Sequence, residues 1–394
     1  MNQHPIWKHI DENADRLRAL SDNVWAVPET CYGEHKSVAL HIEELEAQGF
    51  RVEKEAAGIP TAVIGEAGSG GPVIGFLGEY DALAELSQVA DLPEQQALET
   101  GANGHGCGHN MLGSAAMLVA FALGALGVVF LCGWRVLDHR ADRAQMARLI
   151  ALQPTDPPRF SASMVADLPA PARRYFTYAI TEGTPLLKVA ILEMTGQFSL
   201  GSKALPKYQK MSATQVLAAP EGFVWKMVCG SGLTRMSGSD SGSWTRFWLG
   251  GIVPVARFGG TNDHRRAAFG RYIAEALFWT PGAYLLMDNV RWMAVSVDTF
   301  RVSVQYAGLE QSVDVTIEAD GRPSKVVFPR WSNANPDGVY REQAFGAYLS
   351  AHQSFEGFRL PTHVEAGNHF GTDAYFPFYI ADVTSVGLPS APDR

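Results

Sequence analysis

The sequence predicts an α/β segment at the front of the chain and, behind it, a mainly antiparallel β domain with one or two helices, an α+β arrangement overall. Three observations predict it. Residues 1–110 carry two stretches of helical period followed by short β-like runs. Beyond residue 188, alternating or β-branched runs recur between turns. The charge also changes sign: residues 1–110 hold 18 acidic and 6 basic residues, and residues 111–394 hold 23 and 26.

Taken in order, residues 7–26 place Trp7, Ile10, Leu17, Leu20, Val24 and Trp25 at near-helical spacing. A second amphipathic helix over 37–48 turns Leu40, Ile42 and Leu45 inward and stops at Gly49. Strands are expected at 51–54, 61–65 and 72–77, with Gly68-Ser69-Gly70-Gly71 turning between the last two. Residues 84–103 show no regular pattern and read as a loop. From Met111 to Trp134 no residue is charged, over 24 positions. The first half reads as a helix. The whole stretch is long enough to cross a bilayer, and Arg135, Arg140, Arg143 and Arg148 behind it fit the positive-inside pattern. A buried core helix fits it as well.

Gln153-Pro154-Thr155-Asp156-Pro157-Pro158 is a stiff linker. A short helix is expected over 170–180, then strands at 189–194, 196–200, 223–228, 243–249, 300–306, 312–318 and 325–328. Ser312-Val313-Asp314-Val315-Thr316-Ile317 alternates strictly, so one face is buried and the other wet. Ala319-Asp320-Gly321-Arg322 is a hairpin turn. One helix interrupts, with Phe269, Tyr272, Ile273, Ala276 and Leu277 on one face, and strands return at 345–348, 363–366 and 376–386. The division expected is 1–123, a hydrophobic segment and linker over 124–159, and a β-rich domain over 160–394.

The chain has 394 residues, a net charge of −9 and 46% hydrophobic residues, which suits a folded protein of two or more cores. The acidic front argues against nucleic acid. Cys31, Cys107, Cys132 and Cys229 are too scattered for a disulfide framework and indicate a reducing compartment. The polar first 20 residues read as neither a signal nor a transit peptide. The expected location is therefore the cytoplasm, or a single-pass membrane association through 111–134; a homodimer is compatible with both.

Chemistry concentrates in Gly104-His105-Gly106-Cys107-Gly108-His109-Asn110. A thiol and an imidazole two residues apart, at the start of a helix, suit zinc or a similar divalent ion. The dipole there favours a thiolate. A glycine-rich turn around a reduced cysteine explains the same residues. Upstream, Val73-Ile74-Gly75-Phe76-Leu77-Gly78 reads as a buried strand that ends in Glu79-Tyr80-Asp81-Ala82-Leu83, and strand ends are where α/β folds place chemistry.

Together these two stretches resemble the zinc-dependent aminoacylase and carboxypeptidase superfamily, in its amidohydrolase branch of aminobenzoyl-glutamate utilization proteins. Trp25-Ala26-Val27-Pro28-Glu29, Leu45-Glu46-Ala47-Gln48-Gly49-Phe50 and Ala57-Gly58-Ile59-Pro60-Thr61-Ala62 share the likeness, over residues 6–123. The resemblance implies that Cys107 and His109 bind a metal, zinc or manganese, and that Asp81 supports catalysis. Glu79 stands where related branches carry a metal-binding histidine, and His105 is a further accessory candidate. The family also supplies a Glu-Glu pair downstream, one member of which takes the proton from metal-bound water. The one Glu-Glu here is Glu43-Glu44, upstream. His363, Glu365 and His369 are the best remaining ligand candidates, although surface polar residues on an edge strand explain them better. Pro171-Ala172-Arg173-Arg174-Tyr175-Phe176 and Gly222-Phe223-Val224-Trp225 resemble a bacterial family of unknown function, which implies no activity.

These residues support three expectations. The chain is a metal-dependent amidohydrolase with a small acyl or aroyl amino acid as amide substrate, its catalytic site incomplete. Alternatively its aromatic-rich β domain encloses an apolar ligand or lipid. As a third reading, the chain is a fusion whose hydrolase segment is a vestige.

Overall fold

The computed structural model describes residues 5–68 and 73–389, and it divides into two compact units after Gly133.

In the front unit, α1 (Pro5–Trp25) and α2 (His35–Ala47) precede an antiparallel pair, β1 (Arg51–Lys54) and β2 (Val63–Glu66), with Arg51 opposite Glu66. Leu17, Leu20 and Val24 recur at helical spacing on α1 and are buried with Met117 and Phe121. The Glu29 carboxylate caps α2, accepting from the backbone N–H groups of Lys36 and Ser37 at 2.9 Å. Gly49, at φ 78°, ends it.

The strand expected over 72–77 does not form: position 72 lies outside the described residues, and 73–80 is irregular. Val73 is 90% exposed and Leu77 85%. A central strand needs hydrogen-bonded neighbours on both sides, and β1 and β2 pair only with each other. Residues 84–103 contain no helix or strand.

The helix expected over 111–123 is longer. As α3 (His109–Ile150) it runs through the uncharged stretch and into the region read as a linker. Behind residue 134, Asp138, Asp142, Met146 and Leu149 recur every three or four positions and form one face, so the helical pattern does not stop. Among the described residues no helix is long and apolar enough to cross a membrane. The side chains at 123, 125, 126 and 129, inside that stretch, lie outside them.

The back unit holds α4 (Ala170–Ala179) and a thirteen-stranded antiparallel sheet. The first six strands are β3 (Val189–Ser199), β4 (Tyr208–Ala218), β5 (Gly222–Cys229), β6 (Met236–Ser241), β7 (Trp244–Leu249) and β8 (Val253–Gly259). After α5 (Asn262–Trp279) and the short α6 (Pro281–Tyr284) come β9 (Val290–Ala294), β10 (Thr299–Tyr306), β11 (Leu309–Ile317) and β12 (Pro323–Ser332). The last three are β13 (Arg341–Phe355), β14 (Phe358–Asn368) and β15 (Phe376–Gly387). The order is two meanders, β8 back to β3 and β15 back to β9, joined where β15 pairs with β3.

The runs at 189–194 and 196–200 are one strand. Gly196 lies so close to the Ile380 carbonyl that a side chain there would collide with it. The turn after β11 is as expected, with the Glu318 N–H donating to the Arg322 carbonyl at 2.8 Å and Gly321 at φ 92°. Strands β4, β6, β8 and β9 were not legible. In β6 the buried residues are Ser237, Ser239 and Ser241, which carry no hydrophobic signal.

Helix α5 is buried almost all round, including Phe269, Ile273, Ala276 and Trp279. It touches β4, β5 and β8 from one meander and β11, β12 and β14 from the other. Contact with both halves of so wide a sheet requires the sheet to curl around the helix.

Candidate functional site

Two places in the molecule gather chemistry, one in each unit. In the front unit, residues 73–81 are fastened at their end: the Ala82 N–H donates to the Glu29 carbonyl at 2.6 Å, and Leu83 and Gly104 exchange backbone hydrogen bonds at 3.0 Å. Gly113 at the start of α3 leaves no room for a side chain against His41 and the Glu79 carbonyl. That close approach brings the carboxylates of Glu79 and Asp81 to the first residue of α3. His109 Nδ1 lies 2.7 Å from Asp81 Oδ1, and His109 Nε2 lies 3.0 Å from Glu79 Oε2. One ligand atom from each of Glu79, Asp81 and His109 falls within 4.8 Å of the others. Two carboxylates and an imidazole are a donor set that fits zinc or manganese.

Cys107 stands beside this group. Its thiol is exposed and lies 3.8 Å from the Asp81 carbonyl oxygen, outside the gathered set. His105 is buried and turned toward the Val24 carbonyl at 3.1 Å. Burial lowers its pKa, against the hydrogen bond to that carbonyl. Of the residues singled out in the sequence, Glu79, Asp81 and His109 therefore converge, while Cys107 and His105 flank them. Glu44, of the upstream Glu-Glu, is paired with Arg16.

His363, Glu365 and His369 do not form a cluster of this kind among the described residues. β14 is not an edge strand, since β13 and β15 pair with it on both sides. His363 sits between Asp382 at 2.7 Å and Glu365 at 3.3 Å, and His369 occupies a turn at φ 57°.

The second place is a cavity of about 450 Å³ between α5 and the inner face of the sheet. Trp225, Phe247, Phe278, Phe328, Phe345 and Tyr379 line it. Its exposed lining residues are Leu200 at 63%, Phe258 at 58%, Asn333 and Ala334. Four charged side chains also face it: Asp240, Arg271, Glu275 and Arg330. Arg271 donates to Asp240 at 2.6 Å and to Glu275 at 2.7 Å, and Glu275 accepts from Gln215 at 2.6 Å. Despite burial, Glu275 and Asp240 raise the pKa of Arg271. Sequence reasoning missed all four. A signal existed: Arg271 and Glu275 are four apart on a helix with apolar residues on every side, and Arg330 stands at an inward position of β12 after Val326 and Phe328.

Comparison with known proteins separates the two units again. Residues 158–380 match a family described as a family of unknown function, DUF6544. The N-terminal segment is 45% identical over 122 residues to a subunit of the p-aminobenzoyl-glutamate hydrolase of Escherichia coli strain K12, covering 30% of this chain and 25% of that protein. It is 34% identical over 133 residues to Xaa-Arg dipeptidase of Mus musculus, covering 30% and 26%. The chain thus spans about a quarter of the length of these curated relatives. Among solved structures, a LolA superfamily protein from Nitrosomonas europaea aligns at 8% identity with a TM-score of 0.29, over 56% of this chain and 93% of that one. A lipoprotein-sorting protein domain from Vibrio parahaemolyticus aligns at 10% and 0.28, over 59% and 93%. Scores this low assign neither protein's properties to this chain.

Proposed function

The chain belongs to DUF6544, a family of unknown function, and from that premise we propose that its β domain is a binding module that takes an apolar small molecule into the cavity beneath α5. The cavity itself carries this reading. Protein interiors are close-packed, yet here about 450 Å³ stays open among aromatic side chains. That volume is within the roughly 300–1,000 Å³ of small-molecule sites, whose lining is likewise apolar with a few polar groups. The test is titration of the full chain with an apolar fluorescent probe, beside Ala274→Phe, which fills the cavity from α5. Saturable binding, weakened by that substitution, is expected. Unsaturable binding, or binding indifferent to it, would overturn the reading.

The convergence of Glu79, Asp81 and His109 favours a second reading for the front unit. It would hold a divalent ion, and that ion would supply Lewis acidity toward the amide of a small acyl or aroyl amino acid. The sequence carries no Glu-Glu after residue 110 to act as base. The expected result is substoichiometric zinc or manganese in purified protein and weak or no hydrolysis of aminobenzoyl-glutamate. Robust turnover that disappears in both His109→Ala and Cys107→Ala would show instead that the site is complete.

A further inference from the structure

We propose that the cavity is a receptor for a long-chain carboxylate, and that Arg330 holds its head group; this rests on reading the cavity as a ligand site.

The argument begins with β12. Its inner face carries Val326, Phe328, Arg330 and Ser332 at the two-residue period of a strand. The alternation therefore turns Arg330 toward the cavity it lines. Its guanidinium lies 4.8 Å from the centre of the Phe345 ring. Its Nε is buried without a partner, and among the described residues no hydrogen bond or ion pair reaches either Nη. A guanidinium enclosed by apolar walls is costly unless an acceptor meets it.

The neighbouring carboxylates do not meet that need, because Asp240 and Glu275 are both engaged by Arg271. The two arginines differ accordingly. Arg271 is held as a cation by its partners, whereas burial, with Arg271 close by, pushes Arg330 down to about 10. Trp225, also on the cavity wall, has a buried indole N–H with no acceptor. The unspent polar capacity of Trp225 and Arg330 thus consists of donors. A planar fork of N–H groups matches a carboxylate in two parallel hydrogen bonds. The aromatic walls, with Leu200 and Phe258 exposed at the mouth beside Asn333, suit the chain attached to it.

The experiment compares hexadecanoate with hexadecanol, which have one chain length and differ in the head group. Binding of each to the full chain is measured by displacement of the apolar fluorescent probe. Wild type is expected to prefer the acid by about ten-fold or more, the scale of one charge-assisted hydrogen-bonded pair. Arg330→Met should remove that preference. Arg330→Lys, which keeps the charge, should retain part of the preference. Equal affinity of wild type for acid and alcohol would overturn the carboxylate proposal and leave the apolar-ligand reading standing, whether or not the variants fold. An acid preference that survives in Arg330→Met would overturn the role of Arg330. Binding of neither molecule to wild type while the probe binds saturably would overturn the carboxylate proposal alone, and absence of saturable probe binding would sink both readings together.

Discussion

The two units treat an apolar β-type run in opposite ways. In the front unit Val73, Ile74, Phe76 and Leu77 lie on irregular backbone with their side chains in solvent. In the back unit Phe300, Val302 and Val304 of β10 are at most 1% exposed. Both runs are rich in residues that favour strands. The difference lies in their neighbours: β10 is hydrogen-bonded to β9 and β11, and among the described residues the front run has no strand beside it. Strand propensity is realised only where a sheet receives the strand and a second layer covers it. A sequence motif can therefore bring Glu79 and Asp81 to His109 without forming the strand expected before it.

Substitution should expose this contrast directly. Phe300→Ala is expected to cost about 3–5 kcal/mol, as for a fully buried aromatic, while Leu77→Ala costs less than about 0.5 kcal/mol. Chemical denaturation of each variant reads both, and comparable losses at the two positions would break the comparison.

The charged groups offer a second contrast. In the back unit Asp138 is buried and accepts from Arg257 at 2.6 Å, Trp248 at 2.9 Å and Arg246 at 3.1 Å. Asp138→Asn keeps the shape and loses the charge, and is expected to cost about 2–3 kcal/mol. In the front unit, Asp81→Asn should cost little and lower metal uptake instead, since Asp81 belongs to the candidate ligand set. Metal content and denaturant midpoint, measured on both variants, would sharpen the distinction or erase it.

Histidines give effects of smaller size and opposite sign. Burial first, then Arg322, pushes the pKa of His352 down to about 4. A histidine depressed in the folded state contributes stability above its unfolded pKa and loses it as pH falls through about 6.5 toward 4. After allowance for its partial exposure, the loss is about 1–2 kcal/mol, and His352→Gln should flatten that slope in an acid titration of stability. His41 and His105 in the front unit are lowered in the same direction by burial.

His363 is the reverse case. Asp382, then Glu365, raise its pKa against burial. Its contribution is present below about pH 6.5 and is lost as pH rises through the raised folded value, by less than about 1 kcal/mol for so exposed a cluster. Asp382→Asn should abolish that small alkaline loss, and an unchanged profile would show that the pairing carries no stability.

The sequence by itself determined what depends on near neighbours along the chain. The spacing on α1, the alternation of β11, the turn at Gly321 and the helix after the glycine-rich motif, read from Met111 on, are all local. They follow from side-chain period, glycine freedom and capping. The likeness of the front segment to amidohydrolases was legible for the same reason, since its motifs are short and contiguous. Only the tertiary structure decided which distant residues meet. It brought Glu79 to His109 across about thirty positions, moved His105 into a buried contact with Val24, and left the 73–77 run in solvent. It also wrapped both meanders around α5, so that Arg271 found Asp240 and Glu275 while Arg330 faced an open cavity. Local pattern sets which face of a strand turns inward. The pairing of charges and the space left among side chains depend on strands far apart in sequence, and no local signal carries them.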